Sequence, residues 1–228
     1  MTRKNNLLIK NAHKILLADI SQDDIDKVIE QIRETKNRPK LLTCKLKILP
    51  TPEQQEVLWA LAENCRLIYY FALKERKEWW ERNKDLPKDQ QEKMPIYIDQ
   101  QNKLPQLRQT YPRYQQNYAK TLQMTLRQLN ADFKSFFVLR NKGYADANPP
   151  RPKSKKYFTT IVYNQLGFKI IGNQITFNHF YPTKETKKVA LTFQLHDKFD
   201  FTNKIIKQVT IFQVHKTKEF YISIIYEE

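Results

Sequence analysis

The sequence predicts an α+β fold in which a helical segment is inserted between one β-strand and a later group of strands. Three observations carry this. Residues 42–48 alternate, with Leu42, Cys44, Leu46 and Ile48 on one side and Thr43, Lys45 and Lys47 on the other, the period-two pattern of a half-buried strand. From residue 51 to about 142 the apolar residues recur at helical spacing instead. From Tyr157 onwards the period returns to two.

The elements follow in order. Residues 1–40 form an N-terminal helical extension, with a weak stripe of Leu8, Ala12, Ile15 and Leu16. A better helix follows, in which Ser21 and Asp24 supply the cap and Ile25, Val28, Ile29 and Ile32 the apolar face. Residues 41–50 hold the first strand. Thr51 then caps a helix, Pro52 takes the first helical position, and Gln54 stands where its side chain returns to the cap. Val57, Leu58 and Leu61 place a helix over 52–63. A second is expected over 64–84, with Cys65, Ile68, Tyr69, Ala72 and Arg76 on one stripe and Trp79 and Trp80 near its end.

Residues 85–95 are polar with two prolines and read as a loop. A short helix over 97–109 is irregular near Pro105. The longest helix is expected over 112–141. Tyr118, Leu122, Leu126, Leu129, Phe133, Phe136 and Phe137 hold one face, and Gln116, Lys120, Gln123, Arg127, Asn130 and Lys134 the other. Gly143 ends it, so the helical region spans 51–142, and a basic, Pro-rich linker occupies 143–156. Within 157–228 the strands fall at 157–163, 167–171, 174–180, 188–194, 205–214 and 219–226, with hairpin turns at Gly172-Asn173 and at 215–218. The last strand is apolar on both faces, which predicts a central position; the chain ends two residues after it.

Composition narrows the function. The 228 residues carry a net charge of +16, and the excess is distributed as +3 over residues 1–40, +7 over 41–142 and +6 over 143–228. A positive field spread along the chain fits a polyanion lying in an extended groove. The alternatives are a basic protein with no polyanion or, less favoured, one bound to an anionic membrane surface. Cys44 and Cys65 read as small buried side chains and form no Cys-x-x-Cys pair, so a zinc ribbon is excluded within these residues. His13, His179, His196 and His215 have no ligand spacing, and Asp23, Asp24 and Asp26 read as first-turn helix acids. Asp197, Asp200 and the Glu227-Glu228 end lie in loop or terminal sequence. No cofactor, metal or catalytic set is expected. Residues 7–17 do not form a convincing signal peptide and no run is apolar enough to span a bilayer, so the expected location is the cytoplasm.

Four segments carry a resemblance: LPTPEQQ (49–55), CRLIYYFAL (65–73), LQMTLRQLNADFKSFF (122–137) and PPRPKSKK (149–156). Over about residues 41–226 the chain resembles the N-terminal half of the OrfB/TnpB proteins, transposon-encoded RNA-guided DNA endonucleases related to type V CRISPR effectors. The resemblance implies a small antiparallel wedge β-barrel of about six strands, interrupted after its first strand by a helical recognition domain. The two parts would hold a guide RNA and read the short motif flanking a double-stranded DNA target. It places the motif-reading positions at Tyr97, Gln123 and Asn164. The family's lysine one turn before the glutamine falls on Ala119, with Lys120 adjacent, a departure that alters the expected motif. Lys120 and Arg127 complete the DNA-binding expectation, and Arg66, Arg151 and Lys153 are the expected contacts to the RNA backbone. The family's RNase-H-like nuclease domain and zinc ribbon lie beyond the position of Tyr226, so this chain is expected to be non-catalytic. It would then be half of a split nuclease with a separately encoded partner, a repressor, or a decayed transposon remnant. The alternative is a helix-turn-helix DNA-binding protein acting without guide RNA.

Overall fold

The computed structural model describes Asp23, Asp26 and residues 39–177, 189–195 and 200–227. The chain divides into two compact units, residues 1–40 and residues 41–228. In the first, Asp23 and Asp26 have helical backbone; the rest of the expected helical extension lies outside the described residues.

In the second unit, β1 (Leu41–Ile48) buries Cys44, Leu46 and Ile48 and exposes the residues between them, as alternation predicts. The chain turns at Pro50, and Thr51 forms the expected capping box: its Oγ1 accepts from the Gln54 amide at 3.3 Å and Gln54 Oε1 accepts from the Thr51 amide at 3.0 Å. Gln54 Nε2 also donates to the Ala190 carbonyl at 3.0 Å, tying the cap to the sheet region.

The helix that starts there does not stop at residue 63. It is a single helix α1, Pro52–Asn83, of 32 residues, and it replaces the expected pair over 52–63 and 64–84. Nothing after Pro52 in this stretch is Gly or Pro, so no residue forces a break. Asn64, the one plausible hinge, is 1 % exposed, and its side chain is engaged across the fold rather than with its own backbone. The first part of α1 packs Val57, Leu58, Leu61 and Ala62 into the core of the sheets. The remainder packs Cys65, Ile68, Tyr69, Ala72 and Leu73 into a separate helical core with Leu122, Leu126, Leu129 and Phe133.

Helices α2 (Tyr97–Asn102) and α3 (Leu104–Thr110) meet at Lys103, the irregularity expected near Pro105. A 3-10 turn, Pro112–Gln116, precedes α4, Ala119–Asn141. The helix expected over 112–141 therefore starts later, and α1 is the longest. The delay has a cause. Asn117 is extended and 1 % exposed, donating to the Leu61 carbonyl at 3.0 Å and accepting from Asn64 Nδ2 at 2.8 Å, contacts that a helix running through Pro112 would forbid.

Seven strands are described: β1, β2 (Ile161–Asn164), β3 (Phe168–Ile171), β4 (Gln174–Phe177), β5 (Leu191–Gln194), β6 (Ile205–Gln213) and β7 (Phe220–Glu227). They form two antiparallel sheets, one ordered β1-β7-β6-β2 and one ordered β3-β4-β5. Both contribute to one core with the start of α1. The six-strand closed barrel is not found, because no ladder joins the two sheets among the described residues. The outer parts of two expected strands, 178–180 and 188, lie outside the described residues. β7 is central, flanked by β1 and β6, as its two apolar faces predict. Both hairpin turns are present; Gly172 takes a φ of +54° and Lys218 a φ of 59°.

Two outcomes follow from this packing. Asn117→Ala removes one acceptor of Asn64 Nδ2, which keeps the Arg113 carbonyl at 2.9 Å, and the side-chain donor to the Leu61 carbonyl, and is expected to lower stability by about 1–2 kcal/mol, read from urea unfolding midpoints. An unchanged midpoint would show that the junction is not load-carrying. Cys44 and Cys65 are both buried and free, and burial pushes the Cys65 thiol up to about 11. Neither is expected to react with a thiol reagent at pH 8 until denaturant is added, because the thiolate is the reactive form.

Candidate nucleic-acid interface

The exposed side of the helical region is built on one buried cation. Arg76 of α1 is 3 % exposed, with Nε donating to Gln100 Oε1 at 3.1 Å and Nη2 to Asn130 Oδ1 at 3.2 Å, and its guanidinium lying over the Phe133 ring at 5.0 Å. Gln100 in turn donates to the Ala72 carbonyl at 2.9 Å. Burial lowers the Arg76 pKa from its usual range, but a guanidinium starting so high remains charged at neutral pH. Arg76 thus fixes α2 and α4 against α1 through neutral amides.

One turn from each amide stands a surface residue. Tyr97 is one turn before Gln100, and Arg127 one turn before Asn130. Arg127 Nε donates to the Tyr97 hydroxyl at 3.1 Å, with its guanidinium 5.3 Å from the ring centre. Tyr97 is half-buried and Arg127 exposed. Gln123, half-buried, is one turn before Arg127 on α4, and exposed Lys120 lies almost a turn before that.

Asn164 ends β2, and α4 packs against β2. The join is tight: a Cβ on Gly167 would sit 2.7 Å from Tyr163 Cδ1 and 2.8 Å from Tyr118 Cδ1, so the Tyr118 ring at the start of α4 rests against the backbone just after Asn164. The Asn164 Oδ1 atom is buried without a hydrogen-bond partner. α4 thus packs against both α2 and β2, and Tyr97 and Arg127 are in direct contact.

The three residues expected on RNA are dispersed in environment. Arg151 is exposed on the linker. Lys153 is half-buried, its Nζ 4.5 Å above the Tyr69 ring, whose hydroxyl donates to Asp132 Oδ2 at 2.9 Å. Burial pulls the Lys153 ammonium below its usual range while Asp132 acts the other way. Arg66 is held by Glu63 through two hydrogen bonds of 2.7 and 2.8 Å, with its side chain 17 % exposed, so its charge is answered within α1.

His215 packs edge-on to Tyr157 at 4.4 Å, and Asp200 accepts from the Thr202 amide at 2.9 Å. His13, His179, His196, Asp24 and Asp197 lie outside the described residues. Among the described residues no group of His, Cys, Asp and Glu could hold a metal ion, and no helix is long and apolar enough to cross a membrane. One cluster was not anticipated: Lys45, Phe212 and Tyr221 meet on the four-stranded sheet, with Lys45 Nζ 4.3 Å from the Tyr221 ring centre. Only the strand register, which alternation alone does not supply, unites residues so distant in sequence.

No curated protein matches the chain. Residues 40–85, comprising β1, the Thr51 cap and α1, match the family model of the OrfB/IS605 helix-turn-helix domain.

Proposed function

We propose that this chain is the recognition half of a TnpB-like, transposon-encoded RNA-guided DNA endonuclease, holding a guide RNA and reading the motif beside its DNA target without cleaving DNA itself. The observation that carries the reading is the direct Tyr97–Arg127 contact on the exposed side of α2 and α4, together with the match over 40–85. An amide such as that of Gln123 bonds an adenine edge bidentately, and a Tyr ring packs on a base or sugar. Arg127 holds the Tyr97 hydroxyl and so orients the ring while keeping further N–H donors for a phosphate. Lys120 is exposed beside them. The unpartnered Asn164 Oδ1 gives that amide a reason to turn onto a donor offered by DNA, since an unpaired buried acceptor costs about 1–3 kcal/mol. The second reading, a helix-turn-helix DNA-binding protein acting without guide RNA, is favoured by the match of residues 40–85 to a helix-turn-helix domain model, within which α1 runs as one continuous helix.

The chain expressed in its native host, washed at moderate salt, is expected to retain one discrete RNA when the bound nucleic acid is sequenced; heterogeneous fragments, or none, would overturn guide-RNA dependence. With that RNA bound, Gln123→Ala is expected to relax base preference at one position of the flanking motif by about 1–3 kcal/mol while leaving other positions unchanged. Arg151→Ala is expected to weaken RNA binding uniformly and reduce the slope of log affinity against log salt by about one, measured by anisotropy titration across salt concentrations. An unchanged slope removes Arg151 from the phosphate contacts.

A further inference from the structure

We infer that the outer face of the four-stranded sheet is a separate binding site: a platform on which unpaired bases of single-stranded RNA stack, made by Phe212 and Tyr221 and rimmed by lysines. The inference rests on the nucleic-acid-binding reading but uses none of its residues. The register sets Lys47 opposite Tyr221 and Tyr221 opposite Phe212, one row across β1, β7 and β6. The next row runs Lys45, Ser223, Thr210. Their chain neighbours Phe220, Ile222 and Ile211 are buried in the core, so these two rows face outward. The Phe212 and Tyr221 rings stack at 5.8 Å with 19° between planes, and both are half-buried. Lys45 Nζ lies 4.3 Å from one ring centre and 5.1 Å from the other.

Charge selects the occupant. Lys45 and Lys47 are exposed on β1, and Lys216 and Lys218 are exposed in the β6–β7 turn at the same end of the sheet. The Tyr157–His215 ring contact at 4.4 Å brings the end of the linker, with exposed Lys155 and Lys156, to that turn. Glu219 is the carboxylate bonded into the platform: it accepts from Lys47 Nζ and from the Tyr221 hydroxyl, the latter at 3.0 Å. It steadies the ring and leaves the lysines in excess. Paired rings ringed by cations suit a strand whose bases are free and whose backbone is anionic, because stacking accepts any base while the lysines meet phosphates. A duplex keeps its base faces stacked internally, and a protein partner would want an apolar rim. The Ser223 and Thr210 hydroxyls beside Lys45 are the groups to meet a ribose 2′-hydroxyl, which favours RNA over DNA. Lys45, over the rings in the free chain, swings to a phosphate as a base takes its place.

The test uses the full chain with a 12-nucleotide oligouridylate containing one 4-thiouridine, a 12-nucleotide oligothymidylate and a 20-base-pair DNA duplex. Photo-crosslinks from the RNA are expected on the peptides carrying Phe212 and Tyr221. The double variant Phe212→Leu, Tyr221→Leu keeps apolar bulk but loses ring faces. It is expected to weaken oligouridylate binding on the order of tenfold or more, with duplex binding and thermal unfolding unchanged. Lys45→Gln alone should give a smaller loss and a shallower salt slope. Undiminished RNA affinity in the double variant, or crosslinks confined to residues 51–142, would overturn the platform while leaving the broader reading standing. Tighter binding of oligothymidylate than oligouridylate would overturn the preference for RNA. Failure of the wild-type chain to bind any of the three would overturn the nucleic-acid reading itself.

Discussion

The architecture depends on the continuity of α1 through Asn64. A helix of 32 residues is a rod of about 48 Å at 1.5 Å per residue, and its two parts are committed to two different cores. At the border the buried Asn64 and Asn117 amides bond each other at 2.8 Å, while Asn64 accepts from Arg113 Nε at 2.8 Å and Asn117 donates to the Leu61 carbonyl at 3.0 Å. Buried amides leave little slack, since each unmet partner costs more than a met one contributes. The junction therefore fixes the turn at 112–118 against α1, sets where α4 can begin, and so sets the position of the polar face that α4 presents. The linker adds a second tie where Lys153 caps Tyr69.

Placing the helical region between β1 and the other strands has a consequence for assembly. β1 pairs with β7 from Leu41 opposite Glu227 to Ile48 opposite Phe220, so the sheet closes across nearly the whole unit. Contacts this distant in sequence reward the chain only after the intervening loop has been ordered, which slows folding relative to local structure. The helical core needs no such wait: α1 to α4 follow one another along the chain, and Arg76, Gln100 and Asn130, which join α1, α2 and α4, lie within 55 residues of one another.

What could be read from sequence divides along the same line. The β1 alternation, the Thr51 cap and the central place of β7 were legible because each is dictated by neighbouring residues, through pleat geometry, cap chemistry and two-faced apolarity. The continuity of α1 was not, because Asn64 prefers helix boundaries by local propensity and is overridden by Asn117, 53 residues away. The start of α4 was misplaced for the same reason. At the candidate interface the residue types were legible on α4, but the Tyr97–Arg127 contact was not, since it is set by a buried Arg76 that reads as one more polar position on a stripe. The Arg66–Glu63 pair was present at a three-residue spacing and shows how a cation promising on charge can be answered within its own helix.

That last point decides where a polyanion can lie. α1 carries six carboxylates against five cations, a net charge of −1, and several are matched within it, Glu63 with Arg66 and Glu78 with Lys74. Glu75 is bonded by Lys103, so even a neighbouring lysine is drawn into neutralising the helix. The surplus that gives the chain its +16 therefore lies off the long helix. α4 has four cations and one carboxylate, and residues 143–156 have the same ratio. Exposed Lys120 and Arg127 on α4, Arg151, Lys155 and Lys156 on the linker, and Lys45 on the sheet are among the charges with room to meet phosphates. On the proposed reading these cations, and not those of α1, are the ones that would hold a phosphate backbone. α1 serves as the near-neutral rod that holds those surfaces in register, even though it is β1 and α1, and not α4, that match the helix-turn-helix family model.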